Sequence, residues 1–81
     1  MSTGVETLKY WFKNGVDRGA THMIVVCDTF DWSDYPVYVR PEENVREVEA
    51  KYKSNMQKVM EVYKLSLDMN SQMSVPRAFY Y

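Results

Sequence analysis

The stretch THMIVVCDTFDWSDYPVYV, residues 21–39, places two β-rich runs on either side of an acidic, aromatic connection. The first run, about 21–28, is too short and too β-branched for a helix, and alternation along it yields two faces. One face carries His22, Ile24, Val26 and Asp28, the other Met23, Val25 and Cys27. Both are largely apolar, so this strand is expected to be substantially buried, either central in a sheet or covered on both sides. A second strand is expected at about 35–40. Pro36 near its start cannot donate to a ladder, which favours an edge position or a strand that begins just after it. The short connection can close an antiparallel hairpin. Two strands alone are marginal in water, so helices must cover the ribbon or a second copy must extend it.

Upstream, Thr3 and Glu6 match a capping box, and Val5, Leu8, Trp11, Phe12 and Val16 recur at helical spacing. A first helix is expected at about 4–17, with Gly19 as its stop. Downstream, Asn44 and Glu47 form a second capping-box pattern. Val45, Val48, Tyr52, Met56, Val59, Met60, Tyr63 and Leu67 then keep helical spacing, which predicts one long helix over about 45–70. A break into two helices would fall at Ser54-Asn55, where Ser54 and Gln57 repeat the capping pattern. Val62, Leu65 and Met69 add a second apolar set to this segment, and a second stripe calls for a second partner. Pro76 ends the helical pattern, and the aromatic tail at 74–81 is expected to dock on its own domain or on a neighbour. The fold class that results is α+β, a single small domain of order α-β-β-α with an antiparallel hairpin packed against two helices.

An 81-residue chain buries only about 60–65% of its unfolded surface, so its core is thin. Cys27 and His22 are the sole cysteine and histidine, which rules out an internal disulfide and every multi-Cys/His zinc pattern. Self-association is the remaining common source of extra burial, and a dimer or higher homo-oligomer is expected, with Val62, Leu65, Met69 and Phe79 at its interface. A net charge of −1 without a basic block argues against duplex nucleic acid as a partner. No basic leader precedes an apolar run and no window approaches the roughly 20 apolar residues of a membrane span, so a cytoplasmic protein with a reduced Cys27 is expected.

Asp28, Asp31 and Asp34 are spaced as carboxylates that hold a hard cation can be, but Phe30, Trp32 and Ser33 break the alternation of an EF-hand loop. The favoured reading is that Asp28 and Asp31 accept backbone N–H bonds while Asp34 ends the turn, with no metal. Cys27 and His22 lie an odd number of residues apart on a strand and so point to opposite faces. An adjacent carboxylate would also raise the thiol pKa, and Cys27 is expected to be buried and structural. Phe30, Trp32, Tyr35 and Tyr38 with Arg40 compose a candidate stacking platform for a base, with the arginine reaching a phosphate. Met56, Met60, Met69 and Met73 are expected to pack in the core or an oligomer contact.

The runs GATHMIVVCDTFD (19–31), DYPVYV (34–39) and NMQKVMEVY (55–63) resemble a group of small bacterial and phage proteins, over nearly the whole chain. The resemblance carries no activity and no site residue; it implies an accessory role at the level of class. No convincing nucleophile, general base or cofactor motif is present, so a non-catalytic binding protein is the expected function. Its partner would be a host protein or a second copy. One alternative is a sponge that sequesters a small nucleotide-type signalling ligand in an anti-defence role. Another is a small metal-dependent hydrolase using the loop aspartates.

Overall fold

The computed structural model describes residues 4–53 and 56–81, arranged as α1 (Val5–Asp17), β1 (His22–Asp28), β2 (Ser33–Val39), α2 (Val45–Lys51), β3 (Gln57–Lys64) and α3 (Met69–Met73). The class is α+β, as read from the sequence. β1 is the middle of an antiparallel sheet of order β2-β1-β3. Its pairing with β2 runs in register from His22 opposite Val39 to Asp28 opposite Ser33, the expected hairpin with its second strand starting earlier than expected. α1 ends as Gly19 implies. At φ +74 it donates its N–H to Val16 O (3.0 Å) while Ala20 N–H reaches Gly15 O (3.0 Å), a Schellman closure of the last turn. Gly4 caps α1 without a side-chain bond, and the expected cap residue Thr3 lies outside the described residues. Asn44 caps α2 as expected, its side chain accepting from Arg46 and Glu47 N–H at 3.0 and 3.2 Å.

The long helix over 45–70 is not present: α2 stops at Lys51, and 57–64 is a strand. The Ser54-Asn55 position of the alternative break lies outside the described residues. Two physical causes explain the difference. A buried central strand has backbone donors and acceptors along both edges, and each needs a partner. β2 serves one edge of β1, so the other recruits β3. The spacing that looked helical comes from an irregularity in β3, where the register shifts between Val25 and Val26: Val25 faces Glu61, but Val26 faces Val59. Met60 is the extra residue of this bulge, and it lets Val59 and Val62, three apart, share one face.

Both faces of the sheet are covered. Met23, Val25 and Tyr63 pack with Leu8 and Phe12 of α1, with Leu65 and with Ala78 of the tail, Phe12 meeting the Tyr63 ring edge-on at 6.4 Å. On the other face Ile24, Val26, Val39, Val59 and Val62 pack against Val48 of α2. The second apolar set is divided: Val62 faces α2 from β3, Leu65 follows the strand into the core on the α1 side, and Met69 opens α3 and packs against that same core. Each finds its partner inside the same chain. The tail also docks within the chain: Val62 N–H donates to Ala78 O (2.8 Å) and Tyr80 N–H to Val62 O (2.9 Å), so residues 78–80 run parallel along the outer edge of β3.

Candidate functional site

The connection between β1 and β2 is a turn closed by hydrogen bonds to its own aspartates. Asp28 Oδ1 accepts the Phe30 N–H (2.9 Å), and Asp31 Oδ1 accepts both the N–H (3.1 Å) and the hydroxyl (2.7 Å) of Ser33. The Trp32 N–H closes the turn on Asp28 O at 2.7 Å, and the Thr29 N–H ties it to Met56 O at 2.9 Å. Bonds from Ser33 hold the Asp31 carboxyl below the usual carboxylate range, the hydroxyl contributing most, so the tip stays anionic. Asp34 does not end the turn as expected; it lies within β2 opposite Cys27. Burial first, and the neighbouring Asp34 carboxyl second, push the Cys27 thiol up, which suits the structural role expected of it.

Held this way, the turn presents large apolar side chains to solvent. Phe30 is 78% exposed and Trp32 54%, with Met56 beside them also exposed. Trp32 adopts φ +60, a left-handed conformation that costs a bulky residue about 1–2 kcal/mol. The chain therefore bears both strain and apolar exposure at one tip.

Tyr38 and Arg40 share the lining of one cavity, but the five residues expected to form a stacking platform do not come together as a group. Phe30 and Trp32 stand on the tip, whereas Tyr35 and Tyr38, three apart on a strand, point to opposite faces. Tyr35 packs on the α2 face and accepts a bond from Gln57 Nε2 (2.6 Å). Tyr38 packs on the α1 face, donates its hydroxyl to Trp11 O (2.7 Å), and lies beneath the Arg18 guanidinium at 4.9 Å. Arg40 follows β2, exposed, 3.9 Å from Glu42. Of the expected interface residues, Val62 and Leu65 are buried in the chain's own core, Met69 is partly buried against it, and Phe79 is 41% exposed. His22 diverges from Cys27 as strand geometry requires, its ring within 2.9 Å of both Thr21 Oγ1 and Tyr81 O.

Two cavities join residues singled out in the sequence to polar groups that sequence reasoning missed, Glu61, Tyr63 and Arg77 in one and Arg18 and Tyr52 in the other. One, of about 330 Å³, brings Asp34, Glu61, Tyr63 and Arg77 together under Met60 and Met73. Burial pushes the Glu61 carboxyl up against the opposing pull of Tyr63, Arg77 and the Ala78 backbone, and burial with Glu61 nearby pushes the Tyr63 phenol up. Glu61 and Tyr63 at i, i+2 of a β-rich run would have signalled a shared face, had the run been read as a strand. The other cavity, of about 420 Å³, joins Arg18, Tyr38, Arg40 and Tyr52 along the free edge of β2. Among the described residues no group of three or more His, Cys, Asp or Glu side chains is arranged to hold a metal ion. No helix among them is long and apolar enough to cross a membrane.

No protein family matches this chain, and neither a curated protein nor a solved structure shows significant similarity to it.

Proposed function

We propose that this chain is a small non-catalytic interaction protein of the cytoplasm that docks on a partner protein through the Phe30–Trp32 turn. The observation that carries the reading is the outward presentation of Phe30 and Trp32 by a turn whose aspartates are engaged by its own backbone N–H groups. Rigid aromatic anchors on a preorganised loop lose little conformational entropy on binding, and Trp and Tyr dominate binding energies at interfaces. The anionic Asp31 beside them favours a partner groove with an apolar floor and Lys or Arg at its rim. Of the two enzymatic and ligand alternatives, the hydrolase draws no support from the turn, where Asp28 and Asp31 each serve backbone N–H groups.

A photo-crosslinking side chain placed at position 30, with exposed Lys13 on α1 as the control position, tests this in cells. The expected result is a discrete adduct from position 30 alone, fading as ionic strength rises, and absent when Trp32→Gly is added. That variant also relieves the left-handed strain, so it keeps or raises the thermal midpoint. No adduct at position 30, or the same adduct from both positions, overturns the reading.

A further inference from the structure

The cavity at the free edge of β2 has an unusual electrostatic make-up for a chain of net charge −1. Two arginines from separate parts of the chain line it, Arg18 from the C-cap of α1 and Arg40 from the end of β2, and no carboxylate does. Its volume of about 420 Å³ falls in the range of about 300–1,000 Å³ typical of small-molecule sites. Tyr38 and Tyr52 give it aromatic walls, and Pro36 and Pro41 add stiff apolar ones.

The two arginines are held differently. Arg18 sits over the Tyr38 ring at 4.9 Å, and that ring is itself anchored by the hydroxyl bond to Trp11 O (2.7 Å). A guanidinium stacked by its face keeps N–H donors at its edge, in the fork that matches carboxylate and phosphate oxygens. Arg40 pairs with Glu42 at 3.9 Å, both side chains well exposed, a loose contact that solvent screens and an incoming anion displaces. Glu43 is engaged elsewhere, its Oε1 accepting the Arg40 backbone N–H at 2.9 Å. The C-terminal carbonyls of α1, which would repel an anion, are tied up at Asn14, Gly15 and Val16 by the N–H groups of Arg18, Ala20 and Gly19.

We propose that this cavity binds a flat anion, an anionic oxygen group joined to a planar ring, with the charge on Arg18 and Arg40 and the ring against Tyr52, Pro36 and Pro41. A nucleoside monophosphate has this chemistry. The site shares no residue with the Phe30–Trp32 turn, so it stands independently of the docking reading.

Isothermal titration of the full chain with AMP, inorganic phosphate and adenosine tests the inference. The expected result is saturable one-to-one binding of AMP below about 1 mM, at least about tenfold tighter than phosphate or adenosine alone. Arg18→Gln and Arg40→Gln should each weaken AMP about tenfold or more, whereas Lys13→Gln, which removes the same charge from exposed α1 surface, should change it less than about twofold. Thermal unfolding of each variant establishes that the fold is intact, and Trp32→Gly should leave AMP binding unchanged. Phosphate binding as tightly as AMP would reduce the site to a simple anion contact and overturn the ring half of the proposal. No saturable binding, or equal weakening by Lys13→Gln, would overturn it entirely.

Discussion

Glu61 is placed against the preference of its charge: burial raises its pKa, while Tyr63, Arg77 and the Ala78 N–H pull it back. For a carboxyl whose pKa is raised on folding, the protonated form is the one the fold favours. Stability is therefore fully present below the unfolded value, about 4.3, and is lost as pH rises through the raised folded value. Asp31 works with the opposite sign, its lowered pKa contributing stability that disappears as pH falls through that value. Glu61→Gln removes the first effect and leaves the second. Urea unfolding of the variant and the parent at pH 4 and pH 7 should show Glu61→Gln gaining on the parent at the higher pH. A difference that stays flat would mean that burial of the charge is not the dominant influence. Glycine shows a different limit of residue-level reading. Gly19 was legible as a helix stop, whereas a Cβ at Gly15 would lie 2.8 Å from Leu65 Cδ1 and 2.9 Å from the Tyr38 ring. Nothing local to Gly15 announces a close approach from two distant segments.

At the scale of elements, the hairpin was readable because its signals are local: two-sided apolar alternation in β1, aspartates that make the turn, and Pro36 in an edge strand. β3 was not readable in the same way, because its bulge converts a period of two into the i, i+3 spacing of a helix. The tail depends in turn on β3. Residues 78–80 take up the Val62 N–H and C=O, while Tyr81 donates its hydroxyl to buried Glu49 Oε2 at 2.6 Å beneath the Arg46 guanidinium. Each buried group left without its partner costs about 1–3 kcal/mol, and small domains are stable by only about 5–15 kcal/mol in total. Removal of residues 78–81 should therefore lower the thermal midpoint by at least about 10 °C or abolish cooperative unfolding. A truncated chain that melts like the parent would show the tail to be a passenger on β3.

Across the whole molecule, three layers form with the sheet between α1 on one face and α2 on the other, and this changes what the apolar residues of the second half are for. Leu65 was expected to face a second copy. Instead it packs beside Gly15 in the core with Leu8, Phe12 and Tyr63. A lysine there would carry a charge into this apolar cluster, at a cost of several kcal/mol. Leu65→Lys should thus unfold the chain, seen as loss of near-ultraviolet circular dichroism, and should not yield a folded species of lower mass. A folded Leu65→Lys protein of reduced native mass would restore the residue to an oligomer interface. The aromatic content follows the same division: Phe12 and Tyr63 serve the core, Tyr38 and Tyr52 line a cavity, and Phe30 and Trp32 stand in solvent.

What the sequence by itself determined is whatever depends on neighbours along the chain. Helix α1 and its glycine stop, the Asn44 cap, the strand β1 with its opposed His22 and Cys27, and the hydrogen bonding of Asp28 and Asp31 all rest on contacts within a few residues. Tertiary structure decided the rest, since the free edge of a buried strand must be paired by some segment and the local pattern does not say which. That pairing made 57–64 a strand, buried Val59 and Val62 on one face of the sheet and Tyr63 on the other, and laid the tail along its edge. Tertiary structure also put Arg18 and Arg40 on the lining of one cavity. Cavities form between elements, so their lining cannot be read until the order of the sheet is known.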